Sequence, residues 1–243
     1  MSERTPEIAT NEPAAQTQPQ AQGLSFTIDG APSYSLARLQ LPEGKTVRVE
    51  ASAMASQDTN IKMRSKAKGG VKRFLARESL FVNEFTSEHG AGELCIAPGS
   101  PGDISHRYLQ NETIYIQGGG YLASAGEIQC DTKFQGLKKG LFSGESFFLI
   151  KCSGTGDLWF NSYGGIIKLD NVDKEFVVDT GHIVAFTEGL EYDVTKLGGY
   201  KSLFFSGEGF VCRFRGSGTL WLQTRTMSQF IPWVWRYRPS KKN

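Results

Sequence analysis

Three stretches of this chain share one design, and that repetition constrains the fold more than any other feature. Gly136 to Leu158 reads GLKKGLFSGESFFLIKCSGTGDL, Gly70 to Leu94 reads GVKRFLARESLFVNEFTSEHGAGEL, and Gly199 to Leu220 reads GYKSLFFSGEGFVCRFRGSGTL. Each runs from a glycine through a basic residue two places on (Lys72, Lys138, Lys201) and a glutamate (Glu78, Glu145, Glu208) to an apolar run, a Gly-x-Gly and a leucine. The glutamates lie 67 and 63 residues apart, and Met54, Leu122 and Val184 precede them by 24, 23 and 24. Self-similarity at a near-fixed period marks one structural unit used three times. The copies span about 24–104, 105–169 and 170–227, within a single domain of residues 23–227.

The repeated unit reads as β structure. Leu24 to Ile28 is the first strand signal, with Asp29 and Gly30 as its turn. KTVRVEASAMAS, NIKMRSKA, SLFVNEFTSE and GELCIAP continue the first copy; ETIYIQ, GYLASAG, EIQCDTKF, SFFLIKCSG and GDLWFNSYG form the second; EFVVDT, GHIVAFTEG, LEYDVTKL, GFVCRFRG and GTLWLQTR form the third. The spacing predicts about five short strands per copy in one order. Gly90-Ala-Gly92, Gly154-Thr-Gly156 and Gly216-Ser-Gly218 are expected where strands reverse, because glycine accepts the positive φ of hairpin turns. Glycine, β-branched and aromatic residues interrupt every helical window. The predicted class is therefore all-β: three internal repeats about a pseudo-threefold axis, of the double-stranded β-helix or β-sandwich type.

Composition sets the limits. In 243 residues, 39% hydrophobic content with 16 phenylalanines supplies a sizeable core, and a formal charge of +2 gives the whole molecule no general nucleic-acid or membrane signature. Residues 1–22, rich in Gln, Ala, Pro and Thr, are expected to form a disordered tail. The apolar runs fall short of the roughly 18 to 20 residues that cross a bilayer, and the N-terminus lacks the order of a signal peptide. A cytoplasmic protein is expected, with peripheral membrane attachment as the alternative.

GGVKRFLARESLFVNEF, FQGLKKGLFSGESFFLIKCSGTGDLWFNSYG and the third copy resemble the altered-inheritance-of-mitochondria protein twenty-four family, in its bacterial branch. The likeness covers about residues 24–226 and leaves out both tails. It implies a fold similar to the tryptophan RNA-binding attenuator protein, with three internal repeats. It brings no agreed catalytic residues, and its mitochondrial members are linked to inner-membrane organisation.

Catalytic chemistry finds little support. His89, His106 and His182 stand apart from any second histidine, cysteine or acid cluster at ligand spacing, so each reads as a surface or turn residue and no metal site is expected. Cys95, Cys130, Cys152 and Cys212 form no C-x-x-C pair and read as buried free thiols. No nucleophile motif such as G-x-S-x-G appears, and no cofactor is implied. Glu78, Glu145 and Glu208 with the repeated lysines read as turn residues copied with the architecture.

Two places where the copies differ are better candidates. Lys62, Arg64, Lys66, Lys68, Lys72, Arg73 and Arg77 fall within sixteen residues without an acid, a local patch suited to phosphates of RNA or anionic lipid, or to an acidic protein surface. Phe74 is its one aromatic residue, too few for a stacking platform. The C-terminal segment, residues 228–243, sets Trp233, Trp235 and Tyr237 beside Arg236, Arg238, Lys241 and Lys242, a mixture found at membrane interfaces and stacking surfaces. Pro232 and Pro239 speak against a regular amphipathic helix there, so docking on the β domain or on another subunit is expected ahead of lipid. The functional expectation is a non-enzymatic, self-associating β scaffold or binding protein. An attenuator-type RNA-binding protein, a peripheral membrane organiser and an enzyme working in a cleft between repeats are the rivals.

Overall fold

The computed structural model describes residues 23–66, 80–133, 148–172, 174–196 and 210–238. The expected N-terminal tail, the repeated Lys72, Lys138, Lys201, Glu78, Glu145 and Glu208, and Lys68, Arg73 and Arg77 lie outside them.

The described chain is almost wholly antiparallel β. After β1 (Ser25–Asp29) come β2 (Leu36–Leu41), β3 (Thr46–Glu50), β4 (Met54–Gln57), β5 (Ile61–Lys66), β6 (Val82–Ser87) and β7 (Gly92–Ile96). Next follow β8 (Ile104–Gln117), β9 (Tyr121–Ala125), β10 (Glu127–Lys133) and β11 (Leu149–Asn161). Then come β12 (Ile166–Val172), β13 (Phe176–Asp179), a 3-10 turn (Thr180–His182), β14 (Ile183–Thr187), β15 (Leu190–Lys196), β16 (Phe210–Gly216), β17 (Gly218–Gln223) and one helix, α1 (Met227–Trp235).

One pairing scheme recurs along this order. In the first set β7 lies between β2 and β4, and β6 between β3 and β5. In the third, β17 lies between β12 and β14, and β16 between β13 and β15. The second set makes the same contacts with two long strands: the later half of β11 takes the first half of β8 and β9, and its earlier half takes the second half of β8 and β10. Pairs β3–β9 and β8–β14 join successive sets. Each set therefore has six strand positions rather than the five read from sequence. The extra ones are Leu36–Leu41, whose alternation is clean, Met54–Gln57, which the sequence joins to β3 in one run, and the start of β8 and β12, whose alternation is interrupted by charges.

The Gly-x-Gly motifs need a correction, since the chain does not reverse at them. At Gly154–Gly156 strand β11 runs straight on through a bulge. At Gly90–Gly92 and Gly216–Gly218 the chain leaves one sheet and enters another. Glycine is required there for a different reason. Gly154 and Gly156 sit at φ +125° and +145°, and a Cβ on either would overlap the carbonyl oxygen of Glu127 or Ala125, on either side of Gly126 where β9 passes into β10 alongside β11. Gly216 meets the Gly189 carbonyl at the junction of β14 and β15 in the same way. In the second and third sets glycine thus lets a junction between two successive strands lie flush against the neighbouring chain.

Alternation then fills three cores. Phe26, Leu39, Phe85 and Trp159 lead the first; Ile116, Cys152, Phe160 and Trp221 the second; Phe186, Cys212, Phe214 and Leu220 the third. In the third, Phe186 meets Tyr192 and Phe214 edge to face at 5.2 and 5.1 Å between ring centres.

Candidate functional site

The C-terminal segment folds as a helix, against the sequence expectation. Thr226, buried and extended at φ −128°, ψ 143°, accepts from the backbone N–H of Gln229 at 3.4 Å and caps α1. Pro232 sits inside the helix and forfeits one backbone bond. Two turns started by a cap and closed by short-range bonds from Arg236, Tyr237 and Arg238 to Trp233, Val234 and Trp235 survive that loss.

At about 100° per residue, Trp233, Tyr237, Phe230, Val234, Met227, Ile231 and Trp235 spread over roughly 200° of the helix, and Arg236 lies opposite. A stripe that wide ordinarily faces a core, yet no residue of α1 is buried. Trp233 is 54% exposed, Trp235 60% and Tyr237 73%. Against the β domain Phe230 packs on Tyr163 at 5.5 Å, and Trp233 and Tyr237 continue the ring series from it. Arg238 lies 4.3 Å above the Trp235 ring. Residues 224–238 contain Arg225, Arg236 and Arg238 and no acid.

The basic stretch looks different once folded. Lys62 and Arg64 share one face of β5, but their ladder partners on β6 are Thr86 and Glu84, while Lys66 pairs in register with Val82. Arg64 also reaches Glu88 at 4.0 Å. The acids missing from the sequence window are thus supplied by the next strand, and the described part of this patch is partly neutralised.

Sequence reasoning missed two side-chain pairs. His106 is not a surface residue: its Nε2 lies 2.9 Å from Asp157 Oδ1, with both side chains 4% exposed. Asp157 Oδ2 accepts from the Leu24 N–H at 2.9 Å, and the Phe26 and Trp159 rings pack on the imidazole at 4.5 and 4.9 Å. The other pair is Cys130 and Cys152, opposite each other on β10 and β11 with Sγ atoms 2.9 Å apart. A signal for the first existed, because an acid follows the Gly-x-Gly both at Glu93 and at Asp157. His182 Nδ1 lies 2.7 Å from the Gln223 carbonyl oxygen. Among the described residues no three His, Cys, Asp or Glu gather as a metal site.

A cleft of about 350 Å³ opens between the second and third sets beside the start of α1. Gln117, Asn161, Ser162, Gln223, Thr226 and Ser228 give it a neutral polar lining without acid, histidine or cysteine.

These features define an all-β protein of several antiparallel sheets carrying one exposed aromatic and basic helix. The chain belongs to the mitochondrial biogenesis AIM24 family, whose model matches residues 26–225. It is similar to an uncharacterised protein of Streptococcus pyogenes serotype M6, 29% identical over 232 residues that cover 90% of this chain and 93% of the relative. It is likewise similar to a crystal structure of a Streptococcus pyogenes protein from a structural genomics consortium, with a TM-score of 0.75 and 29% identity, covering 88% of this chain and all of the other. The matched region stops before α1.

Proposed function

We propose that the protein is a non-enzymatic β scaffold that attaches to anionic membrane surfaces through α1 and the basic residues around it. In this reading the three pairing sets are copies of one unit about a pseudo-threefold axis, and they serve as the rigid base. The observation that carries the proposal is the wide, unburied aromatic stripe of α1 beside Arg225, Arg236 and Arg238. Tryptophan and tyrosine rings favour headgroup depth, and arginines there meet anionic lipid. Like charge opposes pairing of this face with a second copy, since both partners would bring the same arginines. Among the described residues no helix is long and apolar enough to cross a membrane, so attachment would be peripheral.

The test is sedimentation with phosphatidylserine-containing and neutral vesicles. The full chain should pellet with the anionic vesicles, less so as salt rises, and a chain lacking residues 228–243 should stay in solution. Equal sedimentation with and without vesicles would end the proposal.

A further inference from the structure

The three sets place corresponding residue pairs on corresponding ladders, and one pair differs in chemistry. Ile61 and Leu190 open the ladders β5–β6 and β15–β16, and Ile128 is the second residue of β10–β11. Two residues on, the facing pairs are Met63 with Phe85, Cys130 with Cys152, and Tyr192 with Phe214. Two sets thus fill this place with bulky apolar or aromatic side chains. The second fills it with two thiols.

Their geometry suits bonding. Residues directly opposite in an antiparallel ladder have Cα atoms about 4.5 to 5.5 Å apart, within the roughly 4.4 to 6.8 Å that a disulfide spans. The Sγ atoms, 2.9 Å apart, need to close by less than about 1 Å. Cys130 is partly exposed, whereas Cys152 is buried. The other cysteines lack this arrangement: Cys95 is buried near Glu93 and Arg38, and Cys212 faces Val178 and Val194 on its neighbouring strands.

We propose that Cys130 and Cys152 are an oxidisable dithiol, a modification site at which a hydroperoxide converts the facing thiols into a cross-strand disulfide. The sulfur of Cys130, the accessible member, attacks the distal peroxide oxygen. The O–O bond breaks, water or an alcohol leaves, and Cys130 becomes a sulfenic acid. The sulfur of Cys152 then attacks that sulfur; the S–S bond forms, the S–O bond breaks, and the hydroxyl leaves as water with the thiol proton. Two electrons pass from the thiol pair to the peroxide, and nothing else is consumed. The order of attack follows from environment, since the contact with Cys130 and then burial push the Cys152 thiol well above its ordinary value. The product would tie β10 to β11 covalently at the level where the other sets rely on packing.

The experiment treats the full-length protein, folded and reduced, with hydrogen peroxide, blocks remaining thiols with an alkylating reagent, and reads intact mass and peptide linkage. Two of the four thiols should be lost, the mass before alkylation should fall by about 2 Da, and a peptide linking Cys130 to Cys152 should appear. Cys152→Ser should instead leave Cys130 as a sulfenic acid that a dimedone probe captures. Four alkylatable thiols after peroxide, or Cys130 carried to sulfinic acid with Cys152 still reduced, would overturn the proposal. The wild-type protein alone decides this, so a variant that fails to fold does not shield it.

Discussion

Arg38 and His106 occupy corresponding positions on β2 and β8, and their environments diverge. Arg38 faces Cys95 on β7, and His106 faces Trp159 on β11; each then reaches diagonally to the acid that follows Gly-x-Gly, Glu93 or Asp157. The first pair is 45% and 35% exposed, and Arg38 also holds Asp29 at 2.6 Å. The second is sealed by Leu24 and Phe26, which the chain adds only once, before the first set. Gly23 permits that seal, because a Cβ there would collide with the Asp157 carboxyl group. One cation-and-acid position has thus become a surface network in one set and an interior anchor for the N-terminal strand in another. Burial, more than residue type, decides what such a pair contributes.

The strongest way to break this comparison is Asp157→Ala. It leaves the Leu24 N–H without its acceptor and takes the carboxylate from beside the His106 ring in a site closed to water. The stranded buried donor costs about 1 to 3 kcal/mol and the lost charge-assisted bond to His106 about as much again, so a loss of about 2 to 5 kcal/mol is expected in urea unfolding. Hydrogen exchange should quicken across β1 as its entry comes loose. An effect no larger than that of Glu93→Ala would show that burial is not the deciding variable.

Glu50, at the end of β3, supplies the remaining case of burial without a cation. Burial alone raises its carboxyl group to about 7. An unfolded glutamate titrates near 4.3, so between about pH 4.5 and 7 the folded protein holds a proton that the unfolded chain has released. Stability from this residue is therefore present at low pH and declines as pH rises through that window. With partial solvent contact allowed for, the decline is about 2 to 3 kcal/mol. Glu50→Gln should flatten the pH profile of thermal unfolding between pH 5 and 8, and an unchanged slope would assign the proton elsewhere.

The all-β class was legible because alternation and glycine spacing are local properties. Which strands meet is not local, and the errors follow from that. Gly154 and Gly156 carry the composition of a turn, yet what makes them glycine is the β9–β10 junction some thirty residues earlier pressing on them. The acid-free run from Lys62 to Arg77 seemed uncompensated because Glu84 and Glu88 approach only when β6 folds against β5. His106 and Asp157 are 51 residues apart, and Cys130 and Cys152 are 22. Their meeting depends on register, which a one-residue slip would reverse. The C-terminal aromatics were visible in the sequence, but Pro232 hid the helix, since the Thr226 cap that outweighs it is a matter of backbone geometry.

The smallest expected effect sharpens the comparison from its exposed side. Arg38 has two acids within reach, and their bonds, led by that to Asp29, raise its already high pKa further. In a list of interactions it therefore outranks His106. Water solvates the guanidinium almost equally well in the folded and unfolded chain, and salt screens what remains. Gln40 already donates to Glu93 at 2.8 Å, so removing Arg38 does not strand that carboxylate. Arg38→Ala should shift the unfolding midpoint too little to exceed the scatter between preparations, with any residual shift vanishing in half-molar sodium chloride. A loss approaching that of Asp157→Ala, persisting in salt, would mean that the β1–β2 surface network is as structural as the buried anchor, and the difference between the two sets would have to lie in something other than access to water.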